Sequence, residues 1–172
     1  YIESMVGNSE LAQEVMEESR EVNWLFGVNS NQENLKYFLG GDSLRRVGDV
    51  WTISDTTYDI EDTFGFDKFE GSHIERTIFT FKKIKKKGGD LIAWIDCKSA
   101  LDINGVGIGW DETVEFSQSG EFIGMIKFNI TKGYIVLNRL DGAMKLMGKN
   151  LEDDKTWNAM INVAMKQKGK IK

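Results

Sequence analysis

Proline is absent from all 172 residues, and cysteine and histidine occur once each, as Cys97 and His73. Without proline, the turns fall to glycine, asparagine and aspartate. A single cysteine excludes an internal disulfide, so no disulfide framework reports on redox compartment. A single histidine excludes a histidine-paired metal site and gives no support to a Ser-His-Asp triad. No phosphate loop, nucleophile elbow or cysteine pair is present, and no cofactor is implied. No apolar run approaches the 18 or so residues that a membrane-spanning helix needs. No signal peptide is visible. The chain begins at Tyr1, which reads as a processed form or a piece of a longer precursor. Excess positive charge is also lacking: the net charge of −5 argues against a general nucleic-acid binder, which would need a broad basic surface.

What is present is period-2 patterning. In residues 73–85, Thr77, Phe79 and Phe81 alternate with Arg76, Ile78 and Thr80. In residues 91–101, Leu91, Ala93, Ile95 and Cys97 alternate with Trp94, Asp96 and Lys98, and Gly88, Gly89 and Asp90 hinge the two runs. Such alternation is that of an antiparallel hairpin. Residues 50–58, 113–117, 122–130, 134–140 and 159–167 alternate over part of their length. Gln118, Ser119 and Gly120 read as one link between strands and Thr131, Lys132 and Gly133 as another, with glycine where a three-residue hairpin wants a left-handed residue. Residues 63–71 read as a loop rich in phenylalanine, and 141–154 as a mobile or partner-covered loop. Before the strands, residues 9–26 carry Leu11, Val15 and Val22 at helical spacing, and Ser30 with Glu33 forms a capping-box spacing that opens a second helix ending at Gly40.

The expected fold is therefore mainly β: a strongly curved antiparallel sheet, half-barrel or sandwich, of about seven to eight strands with two N-terminal helices. Residues 1–45 form a helical segment packing on the sheet, and residues 46–172 form the β domain. A chain of this length buries roughly 70% of its unfolded surface around one core. Several strands are apolar on both faces, with Ile92 and Trp94 opposing Leu91 and Ala93, and Ile123 and Met125 opposing Phe122 and Ile126. One face then covers the core, and the other meets a helix, a ligand or a partner chain.

Val47, Gly48, Asp49, Val50 and Trp51, led in by residues 33–36, resemble the start of the C-terminal domain of an uncharacterised family of bacterial envelope proteins and lipoproteins. Residues 120–124 and 128–133 resemble that family's glycine-rich strand and following turn, with Arg46 where the family has proline and Asn129 where it has aspartate. The family has no established activity or catalytic residues to carry over. The resemblance implies a bacterial cell envelope or secreted location, in the periplasm or at the cell surface, and a sheet comparable with lipoprotein-carrier half-barrels.

The remaining motifs have ordinary structural explanations. Asp102, Asn104 and Gly105 begin like a calcium loop, but Val106 and Thr113 stand where ligands are needed, so a turn is expected and no metal. Gly105, Gly107 and Gly109 leave one strand face bare, a device for close approach of a ring. Cys97 reads as a buried, inert thiol. Lys82, Lys83, Lys85, Lys86 and Lys87 read as a solvated hairpin end, with anionic lipid as the sharper alternative. A hydrolase using Asp96, Asp102, Asp111 or Glu112 would require two carboxylates about 5 to 10 Å apart.

The leading expectation is a non-enzymatic envelope protein that binds an apolar ligand, such as a lipid, or docks on a partner protein. The alternative is a structural or assembly subunit, with another envelope protein or a second copy as neighbour. The expected ligand lining is Phe79, Phe81, Ile95, Phe122, Ile126 and Phe128, residues that are equally the expected core. The expected partner surface is Trp110, Trp157, Met144 and Met147.

Overall fold

A computed structural model describes residues 44–58, 66–109 and 112–169. These residues form one antiparallel sheet of six strands: β1 (Val50–Tyr58), β2 (Lys68–Lys87), β3 (Asp90–Gly109), β4 (Glu112–Asn129), β5 (Tyr134–Asn150) and β6 (Thr156–Lys168). Spatial order equals chain order, so each strand pairs with its sequence neighbours, and β1 and β6 stand at the two ends without closing on each other. The expected helices and Trp110 lie outside the described residues.

The alternation predicted for the central hairpin holds. Phe79 pairs with Cys97 and Phe81 with Ile95, all on the inner face, and a bulge between Phe81 and Lys83 then restarts the register at Trp94. The inner face is the core of the sheet, with Ile95, Ile103, Phe116, Phe122, Leu140 and Leu146 almost fully buried. Burying side chains of this size stabilises by about 1.5–3 kcal/mol each before ordering costs are counted.

Inward-facing glycines provide the room for flat aromatic rings. A Cβ on Gly105 would strike the Phe69 ring, and one on Gly107 the Phe66 ring, so the bare strand face read from the sequence is occupied by two phenylalanines. These rings reach across the gap to Phe116, whose centroid lies 6.3 Å from that of Phe69 and 5.9 Å from that of Phe66. On the far side, Trp157 of β6 lies over Gly148 and 6.1 Å from Phe116. Phe66 and Phe69 thus belong to the core, and Phe69 lies at the start of β2, within residues 63–71 where a loop was expected.

Two further expected breaks are strand interior. Residues 118–120 do not turn, because Gln118 and Gly120 both face inward and continue the ladders to Ile103 and Leu101 on one side and to Leu146 and Met144 on the other. Two predicted strands are therefore the single strand β4. Residues 141–150 likewise continue β5, with Met144 and Leu146 buried, and Asp102 to Gly105 form part of β3 instead of a turn. The union of two expected strands in β4 leaves six strands where seven to eight were expected.

The segments that carry the envelope-protein resemblance have clear structural duties. Gly48 takes a φ of 100° in the turn before β1, and Asp49 Oδ2 accepts the Arg46 N–H at 2.7 Å. Trp51 then stacks on Phe79 at 5.3 Å, with the Arg45 guanidinium 5.0 Å over its ring. At the other motif, Asn129 Oδ1 accepts the Lys132 N–H at 3.0 Å, and Gly133 adopts the predicted left-handed φ of 72°.

Candidate functional site: the outer face of the sheet

Outward positions on these long strands should be polar if water were their only neighbour. Several are not. Ile123 is 62% exposed, Ile74 44% and Met160 42%, and all three face outward. Ile74, Asp102, Ser119, Lys145 and Met160 occupy one row across β2 to β6, and Arg76, Ala100, Glu121 and Ala143 occupy the next. The small side chains of Ala100, Ser119 and Ala143 keep the middle low, so the two rows form a trough of about 600 Å³. Ile74 and Met160 supply apolar walls, while Arg76, Asp102, Glu121 and Lys145 place both signs of charge around them.

A second trough, of about 410 Å³, lies nearer the β2–β3 turn and is lined by Ile123, Met125, Lys98 and the Arg139–Asp141 pair, which meets at 2.7 Å. Both troughs combine exposed apolar side chains with charges of both signs. The sequence shows part of this face through Ile123 and Met125. It does not mark Ala100, Ser119, Ala143 or Lys145, because small and polar residues at outward positions give no signal until the rows are aligned.

The residues expected to line a ligand site share one face but form the packed core. Phe79, Phe81, Ile95, Phe122, Ile126 and Phe128 all point inward and are buried. Of the expected partner surface, Trp157 and Met144 are also buried, since odd positions of β6 and even positions of β5 face inward, whereas Met147 points outward and is 45% exposed. Met144 is further fixed by Gln118, whose Nε2 donates to its sulfur at 3.1 Å.

Among titratable groups, Glu75 pairs with Asp55 across β1 and β2, with His73 on the same face one inward position away. Burial, reinforced by the Asp55 charge, pushes the Glu75 carboxyl up to about 7. Burial also holds His73 below its ordinary value, with Asp55 opposing. Cys97 is buried, and burial followed by the nearby Asp96 charge pushes its thiol up to about 12, as expected of an inert side chain. The carboxylates weighed for hydrolysis do not converge: Asp96 and Asp102 are six residues apart on one strand, about 20 Å at 3.3 Å per residue. Glu112 sits at the far end of the sheet, and Asp111 lies outside the described residues. No group of three or more His, Cys, Asp or Glu side chains placed to hold a metal ion occurs among the described residues.

Comparison with protein families, characterised proteins and solved structures gives no match for this chain.

Proposed function

We propose that this chain is a non-catalytic docking protein of the bacterial cell envelope that receives a partner protein on the outer face of its sheet. The observation that carries the reading is the exposure of Ile123, Ile74 and Met160 along troughs with charged rims. Exposed apolar area arranged this way is stabilised by a covering surface, and the mixed charges would set register more than affinity. In this reading the sheet curls as a half-barrel, keeping the aromatic inner face for stability and leaving the outer face free for recognition. The envelope location follows the resemblance of residues 47–51, 120–124 and 128–133 to envelope proteins. A docking role also fits an inner face whose apolar side chains already pack on one another.

The test is native mass spectrometry of the protein purified from its own source, alongside capture from envelope extracts by the wild type and by Ile123→Asp/Met160→Glu. Both substitutions are outward, so the variant should keep the wild-type circular dichroism. A stoichiometric protein adduct that the variant loses supports the reading. A lipid-sized mass that an organic extraction removes would replace it with an apolar-cargo role.

A further inference from the structure

The two ends of the strands differ in charge. One end gathers the end of β2, the start of β3, the end of β4 and the start of β5, and holds Lys82, Lys83, Lys85, Lys86 and Lys87 together with Lys127 and Lys132. Its few acids are engaged: Asp90 accepts from Lys132 and from Asn129, each at 2.9 Å, and Asp96 lies 3.8 Å from Lys82. Lys83, Lys85, Lys86 and Lys87 have no carboxylate partner among the described residues. The opposite end holds Asp67, Glu70, Glu112, Glu115 and the run from Glu152 to Asp154. There the lysines are taken up in pairs, Lys68 with Glu70, Lys149 with Asp154 and Lys155 with Asp153.

The basic end is also apolar at its rim. Ile84, Leu91 and Ile130 continue the inner face beyond the packed core and are 45%, 42% and 41% exposed. Leu91 and Ile130 are adjacent, the Leu91 carbonyl accepting the Ile130 N–H at 2.8 Å. On the opposite face of the same end, Trp94 sits under the ammonium groups of Lys127, Lys83 and Lys85, at 3.8, 4.9 and 5.3 Å from the ring centroid. These ammonium groups make cation–π contacts with the indole and cover its face.

We infer that this lysine-rich, aliphatic-rimmed end of the sheet docks end-on to an anionic phospholipid bilayer. Surface lysines gain from the negative potential of such a bilayer, and Ile84, Leu91 and Ile130 supply side chains that can enter the headgroup boundary. The net charge of −5 does not oppose this. β3 alone has 20 residues, a contour of roughly 60 Å at 3.3 Å per residue, against a screening length of about 10 Å. The acidic end therefore stands outside the field of the membrane and favours an upright orientation. A nucleic acid fits less well, because the indole at this end is covered by lysines instead of offering a stacking face, and because aliphatic side chains have no role against phosphates.

The experiment is co-sedimentation of the 172-residue chain with vesicles of phosphatidylcholine alone and of phosphatidylcholine mixed with phosphatidylglycerol. Binding is expected to the anionic vesicles only, weakening as salt rises. Lys85→Glu/Lys86→Glu/Lys87→Glu should lower the partition coefficient more than about tenfold. Leu91→Asn/Ile130→Asn should weaken it at constant charge, and a double reversal at Asp153 and Asp154 should not. No binding by the wild type, equal binding to both vesicle types, or loss only on reversal of the acidic end would overturn the proposal. So would tighter binding to an oligonucleotide that Leu91→Asn/Ile130→Asn leaves unchanged.

Discussion

Glu75 is a carboxyl placed where ionisation is costly. It pairs with Asp55 in the β1–β2 ladder, and burial first, then the Asp55 charge, raise its pKa to about 7 against the opposing hydrogen bond from Thr77. A carboxyl raised in the folded state binds more protons folded than unfolded between the two pKa values. Its favourable contribution is thus fully present below its ordinary value of 4.5 and lost as the pH rises through about 7. Glu75→Gln keeps the shape and the Thr77 contact while removing the titration. The variant is expected to match the wild type near pH 4 and to exceed it near pH 8 by about 1–2 kcal/mol, a figure reduced for solvent screening. His73 is common to both proteins, so its own titration largely cancels. Urea denaturation at the two pH values reads the difference, and a stability gap that does not change with pH would remove Glu75 from this role.

At the scale of the element, turn glycines and packing glycines have opposite requirements. Gly88 and Gly89 take φ values of 58° and 93° in the β2–β3 turn, with nothing near enough to touch an added Cβ. Positive φ at both central residues is the demand of a type I′ turn, which asparagine also meets at the first position. Gly88→Asn should therefore stabilise by up to about 1 kcal/mol, through reduced freedom of the unfolded chain. Gly148 lies flat beneath Trp157, and a Cβ there collides with the indole. Gly148→Ala should cost about 1–3 kcal/mol, the range for an overpacked core. Thermal melts of the two variants should shift in opposite directions; a shared direction would mean that the glycines are not divided between turn and packing. This division also explains what the sequence could not convey. Gly88, Gly89 and Gly133 read correctly as turn residues because polar neighbours surround them. Gly120 beside Gln118 and Ser119 carries the same composition, yet it lies mid-strand, where its missing side chain admits Phe122 and Met144. Local composition does not distinguish a glycine that bends the chain from one that makes room for large side chains on the same face of the sheet. The outer trough was hidden for a related reason, since Ala100, Ser119 and Ala143 become a floor only when three strands are set in register.

For the whole molecule, the consequence of a sheet that does not close is that β1 and β6 end it, with no described strand beyond either. Edge strands are commonly guarded by charge, proline or a bulge. β6 is guarded at one end only, by Lys166 and Lys168, because residues 156–165 contain no charged side chain and the chain has no proline. Its inward side chains Trp157, Ile161 and Val163 belong to the core, so register is already fixed on that face. Among the described residues no strand pairs with the outer edge of β6, which is therefore poised to add a strand, and a second copy of the chain is the simplest donor. A concentration-dependent dimer is expected in sedimentation velocity between micromolar and millimolar protein. Asn158 and Asn162 point outward, and Asn158→Lys/Asn162→Lys should hold the protein monomeric with little change in its melting temperature. The charge acts here on association and not on packing. A wild type that stays monomeric throughout that range would show that β6 is not an open edge in solution, and the assembly role for this sheet would lose its physical basis.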